Sequence, residues 1–302
     1  MDRKKEIVRL KKKVGKWLAW WVGEQYFKSS LEESRVDLSL YSEGKKDDFS
    51  SVDIQTILFW HLVHYEEAVV SGTSGGSRHL ALAVRYAEAY VGIKEADANE
   101  GKNGSVLQTN AVLYLSLAVL AGWKEVAGRI GKALVQGLDT SLLDLRHTDR
   151  HCAGEVYRHF WFLLHLYEKI SGNCFDIKNY SYPPDMSPYA AVLDDWQTSD
   201  LTKVHDWVCV LADFHIQQTR NSSHDEIEEF DVEDTMIFPF EILCWLRLRE
   251  WAGLANPESF DHPLMQLPLA RLPTPVPLAM PIEPLLDKVI ARFRREYPKS
   301  FA

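Results

Sequence analysis

Proline is absent from the first 182 residues of this 302-residue chain. Proline breaks a helix by removing a backbone donor and clashing with the preceding turn, so its absence permits long helices there. Cysteine is scarce: Cys152, Cys174, Cys209 and Cys244 are well separated and stand among apolar neighbours. That pattern predicts buried free thiols in a reducing compartment. No window of about 18 apolar residues occurs, so no membrane span is expected. The basic start MDRKKEIVRLKKKVGKW is not followed by an unbroken apolar run, because Lys16, Glu24 and Gln25 interrupt the stretch from Trp17 to Tyr26. Neither a secretory leader nor an anchor is expected, and the expected location is the cytoplasm.

Charge is distributed unevenly. Residues 1–150 carry 21 Lys/Arg against 20 Asp/Glu, whereas residues 151–302 carry 13 against 23. An acidic second half argues against a nucleic-acid partner, since attraction to phosphate underlies such binding. It suits a basic protein partner instead. Ten tryptophans point to an aromatic core or an interface.

Apolar residues recur at three- and four-residue spacing. Ile7, Leu10, Val14, Trp17, Leu18 and Trp21 form one stripe of a first helix. The segment SSVD opens a second, with Ile54, Ile57, Leu58, His61, Leu62 and Tyr65 on one side, and GTSGGS closes it. Further helices are expected over 77–95, 106–121, 123–136, 149–170, 188–196, 199–219 (capped by Ser199), 238–252 and 282–296. Eight prolines between Pro257 and Pro284 predict an extended segment. The fold class is all-α: antiparallel helical hairpins stacked in two units, with a proline-rich extended segment near the C-terminus. SGNCFDIKNYSYPPDMSP at 171–188 marks the expected boundary, giving a bundle at 1–171, a linker at 172–188 and a helical domain at 189–302.

Seven carboxylates crowd ten positions: Asp225, Glu226, Glu228, Glu229, Asp231, Glu233 and Asp234. Such density repels itself unless it is solvated or meets cations, so the segment reads either as a solvated loop or as an acidic docking patch. It lacks the spacing of a calcium loop. With Asp194 and Asp195, these residues are the candidate partner-binding set. His61, His64 and Glu67 resemble a helical metal set without matching H-E-x-x-H, and Asp213/His215 and His205/Asp206 are not face-mates on a helix. No metal, cofactor or catalytic residue is assigned. If the chain were an enzyme, Glu241, His205 and His215 would be the residues to inspect. GTSGGS lacks the lysine of a phosphate loop, and no G-x-S-x-G occurs.

Several segments resemble the immunity proteins that accompany polymorphic nuclease effectors of bacterial type VI secretion. They are YLSLAVLAGWKEVAGRIGKALVQGLDTSLLD at 114–144, YAAVLDDWQTSDLTKVHDWV at 189–208, ADFH at 212–215, FPFEIL at 238–243 and HPL at 262–264. The resemblance spans about half of the chain. It implies a two-part helical protein that neutralises a cognate secreted toxin, expected to be a basic nuclease, by binding it and often covering its active site. Neither nucleic acid nor membrane is an expected partner. The other readings are a helical enzyme and a general helical adaptor.

Overall fold

The computed structural model describes residues 2–143, 145, 156–220 and 228–298. Among them are eleven α-helices, two short 3-10 turns and no β-strand. The helices are α1 (Arg3–Gly23), α2 (Gln25–Ser42), α3 (Ser51–Ser71), α4 (Gly76–Asn99), α5 (Gln108–Leu120) and α6 (Lys124–Gly137). They continue as α7 (Arg158–Ser171), α8 (Tyr189–Asp194), α9 (Leu201–Gln217), α10 (Phe240–Trp251) and α11 (Pro284–Glu296).

The chain divides into two compact units that do not follow its order. One gathers 1–17, 108–120 and 145–272; the other gathers 18–107, 121–144 and 273–302. The expected boundary at 172–188 therefore lies inside the first unit, with α7 and α8 on either side of it. Its glycine and prolines turn the chain without ending a core.

The first unit is built around α5 and α10. Every residue of α5 from Ala111 to Leu120 is buried, and so is every residue of α10 from Phe240 to Arg249. A helix that is apolar all round belongs in a core. That explains α5, but α10 also carries Glu241, Arg247 and Arg249 inside, so their polar groups need partners there. Helices α7 and α10 pack on α5, while α8 packs on α7 and α9 on α10.

The second unit rests on the pairing of α3 with α4. Ser50 and Asp53 form a reciprocal capping box that starts α3, and Gly72, at φ 66°, stops it. Helix α2 lies on α3, α11 on α2 and α6 on α4. No α-helix occurs between Trp251 and Pro284, but the proline-rich run is not simply extended: it turns at 262–267 and makes a 3-10 turn at Pro268–Ala270. Within the second unit its later part docks on the turn after α5. The Leu278 N–H donates to the Ala121 carbonyl at 2.9 Å, and Trp123 Nε1 donates to the Leu278 carbonyl at 2.8 Å. Gly122 makes this possible. Its φ is 78°, and a Cβ there would lie 2.9 Å from Pro277 Cα.

Candidate functional site

The acidic segment turns inward where it re-enters the described chain. Asp225 and Glu226 lie outside the described residues. Glu229 is buried: its Oε1 accepts from Arg158 Nε at 2.7 Å, and its Oε2 accepts from both the backbone N–H and the ring Nδ1 of His159 at 2.8 Å. Helix α7 begins at Arg158 after Tyr157, which supplies no side-chain cap, so Glu229 satisfies a first-turn donor from a distant loop. Burial alone would raise the Glu229 carboxyl. The hydrogen bond and charge of His159, with Arg158, outweigh it and hold the group below its ordinary value. The return is fastened further by the Phe230 N–H donating to the Gln218 carbonyl at 2.9 Å.

The other described carboxylates of the run are half-buried. Glu228 and Asp231 are among them. Glu233 lies 3.3 Å from Lys13 Nζ. The Asp234 carboxyl is closed off, with Oδ1 buried and unbonded, and burial followed by the charge of Glu233 pushes its pKa up to about 6. Crowding was expected to leave the seven groups solvated or facing cations. Glu229 faces a cation inside the protein, where the half-buried Arg158 and the buried His159 offset its desolvation. Asp194 and Asp195 are exposed, and Asp195 pairs with Lys203 Nζ at 2.7 Å.

A second buried pair joins α9 to α10. His215 Nδ1 lies 2.9 Å from Glu241 Oε1, and both side chains are fully buried. His215 Nε2 meets the Thr235 carbonyl at 3.1 Å, and a carbonyl only accepts, so Nε2 carries a proton. Phe230 stacks on this ring at 4.1 Å and lies tilted against His159 at 4.9 Å, so one aromatic side chain separates the two acid–histidine pairs. Glu241 Oε2, His159 Nε2 and the Tyr189 hydroxyl are buried without hydrogen-bond partners. Glu241 thus pairs with a histidine, not with an arginine. Arg249, also fully buried, donates to the carbonyls of Trp196, Thr198 and Ala255 and to Asn256 Oδ1, at 2.8–3.1 Å. It ties two loops to α10 through the planar fork that a guanidinium offers.

The segments quoted for the family resemblance meet in this network. Asp213 of ADFH receives Arg3 and His262 of HPL, with His262 Nε2 3.3 Å from Asp213 Oδ1. His215 of ADFH meets Glu241 of FPFEIL. Their shared role is to hold helices and loops together.

Glu241 and His215 are sealed from solvent, and His205 is not with them. His205 Nε2 accepts from the Asp261 backbone N–H at 3.2 Å, which leaves the proton of a neutral ring on Nδ1. That nitrogen faces Cys209 Sγ at 4.0 Å and Asp206 at 3.4 Å. A base for a thiol needs a lone pair at this position. Burial, and the nearby carboxylates, also raise the Cys209 thiol. Cys174 is exposed, contrary to the expected burial, and Cys244 is buried, its thiol pushed up to about 12.

In the second unit His61 Nδ1 pairs with His79 Nδ1 at 3.0 Å, a partner the sequence spacing did not reveal. His64 Nδ1 donates to the Trp60 carbonyl and Glu67 accepts from Ser71, while the His79 ring lies 5.2 Å from that of His61 and 5.3 Å from that of His64. Among the described residues no three His, Cys, Asp or Glu side chains form a metal-binding group, and no helix is long and apolar enough to cross a membrane. Comparison with family models, curated proteins and solved structures gives no match, so the resemblance to immunity proteins rests on the segments between 114 and 264.

Proposed function

We propose that this chain is an immunity protein that binds and neutralises a cognate secreted bacterial toxin, a basic nuclease effector, in the cytoplasm. The carrying observation is a division among the acidic residues of the first unit. Glu229 and Glu241, paired with His159 and His215, are sealed inside, whereas Asp194, Asp195, Asp206 and Asp261 stand exposed around α8, the first turns of α9 and the loop at 261. Asp206 and Asp261 flank His205, with side chains 72% and 94% exposed. Val210, 52% exposed, lies one turn beyond Asp206 on the same helix and offers an apolar contact. In this reading the helices stack as antiparallel hairpins, no cofactor is used, and carboxylates guide the encounter while a few anchors set the lifetime.

The reading is tested by association kinetics with the purified nuclease. Replacing Asp194, Asp195 and Asp206 by lysine is expected to slow association roughly tenfold at low salt and to change dissociation much less. The wild-type association rate should fall as salt shortens the reach of charge to about 10 Å at 0.1 M. Unchanged association by the lysine variant would remove this surface from the encounter.

A further inference from the structure

Helix α1 separates its cations into two sets. Arg3 pairs with Asp213, Arg9 with Glu6, and Lys13 with Glu233. Lys4, Lys5, Lys11, Lys12 and Lys16 are exposed and make no ion pair among the described residues. At 3.6 residues per turn these five fall within a sector of about 140°, along about 18 Å of helix. The buried residues Ile7, Leu10 and Val14 occupy the other side. Val8, 68% exposed, stands in the middle of the lysines.

We propose that this face of α1 docks the protein on an anionic lipid bilayer. The inference is independent of toxin binding. It departs from the expectation of no membrane partner, because averaging charge over half of the chain hides a segment with eight basic and two acidic residues in its first seventeen. A helix that reads duplex DNA sets asparagine or glutamine beside its arginines or lysines at base edges. A single-strand site presents aromatic platforms. The sector from Lys4 to Lys16 has neither. It offers point charges on long apolar stems around one aliphatic side chain, which suits a smeared anionic surface that the stems can reach while the ammonium groups stay hydrated. The apolar side of the helix is already buried in the protein, so binding is peripheral and electrostatic, without insertion. With a net charge of −9, the chain is attracted when a basic face such as this one leads.

The test is flotation of the full chain with phosphatidylcholine vesicles and with vesicles in which about a third of the lipid is phosphatidylglycerol. The chain should float with the anionic vesicles alone and be released as salt rises. The variant K5E/K12E/K16E should lose at least about tenfold in bound fraction. A control of equal charge change at exposed sites elsewhere, K28E/K169E/K178E, should keep most of it; circular dichroism checks that both fold. The salt and lipid dependence of the wild type reads the proposal even if a variant misfolds. Absence of flotation, equal flotation with neutral vesicles, or equal loss in the control would overturn it. Displacement from the vesicles by oligonucleotide at equal phosphate would assign the face to nucleic acid instead.

Discussion

In the first unit, α10 carries a glutamate and two arginines into a core where α5 is apolar all round; the loops at 196–198 and 255–256 close onto Arg249, and His215 meets Glu241. In the second unit, the α3–α4 pair buries mainly Leu, Ile, Val, Ala and Tyr, and His61 faces another histidine rather than a carboxylate. The contrast teaches where directional order is needed. Helix against helix is positioned by apolar burial, which has no direction; long loops over a core need hydrogen bonds that do. Buried acid–histidine pairs in the first unit therefore read as fasteners of loops.

The largest effect should come from cutting a fastener. Glu229→Ala leaves Arg158 and the start of α7 uncompensated and should cost about 3–5 kcal/mol in denaturant unfolding. That is a large share of the usual stability of a domain. Glu229→Gln, which can still accept from the His159 N–H, should lose less; a loss below about 1 kcal/mol for the alanine variant would remove the clamp from the description.

A backbone lesion in the second unit should cost somewhat less. Gly122→Ala forces a side chain into a positive-φ position and against Pro277, for an expected loss of roughly 2–3 kcal/mol. An unchanged melting temperature would mean that the 273–278 segment does not dock as described.

The smallest effect at neutral pH belongs to His61. Burial, then the positive neighbours His79 and Arg35, push its pKa down to about 3 from 6.5. Below pH 6.5 the unfolded chain takes up a proton that the folded chain refuses until about pH 3, so stability should fall as pH drops through that window. His61→Gln should leave neutral stability nearly unchanged and flatten the dependence of melting temperature on pH between 6.5 and 4. An unaltered slope would assign the acid sensitivity to other groups.

Much of the helical order was legible from spacing and caps: the expected helices after SSVD, at 77–95, 106–121, 123–136, 238–252 and 282–296 lie close to those found. Helix α9 is capped by Asp200, which accepts from Thr202 and Lys203, one residue from the expected Ser199. Helix α2 was missed because its buried stripe is only Phe27, Ser34, Leu38 and Tyr41, sparse and partly polar. The helix expected from 149 begins at Arg158, after the non-helical Val156 and Tyr157. Residues 149–155 lie outside the described chain. Unit membership was not legible, since glycine and proline report local turns, whereas a unit is a property of distant contacts. The clamp at Glu229 had one readable sign, Phe230 set among carboxylates, because an aromatic side chain within a charge run marks a point where the chain must turn inward. Its partners, seventy residues away, had no local signature.

The most direct test of toxin binding is co-expression with a candidate cognate toxin, a secreted nuclease, in a host that the toxin kills. If the chain works by binding, cells survive, the toxin co-purifies with it, and the purified toxin regains activity when the two are separated. Survival without a complex, or a toxin left chemically altered after separation, would contradict binding and restore the enzyme reading.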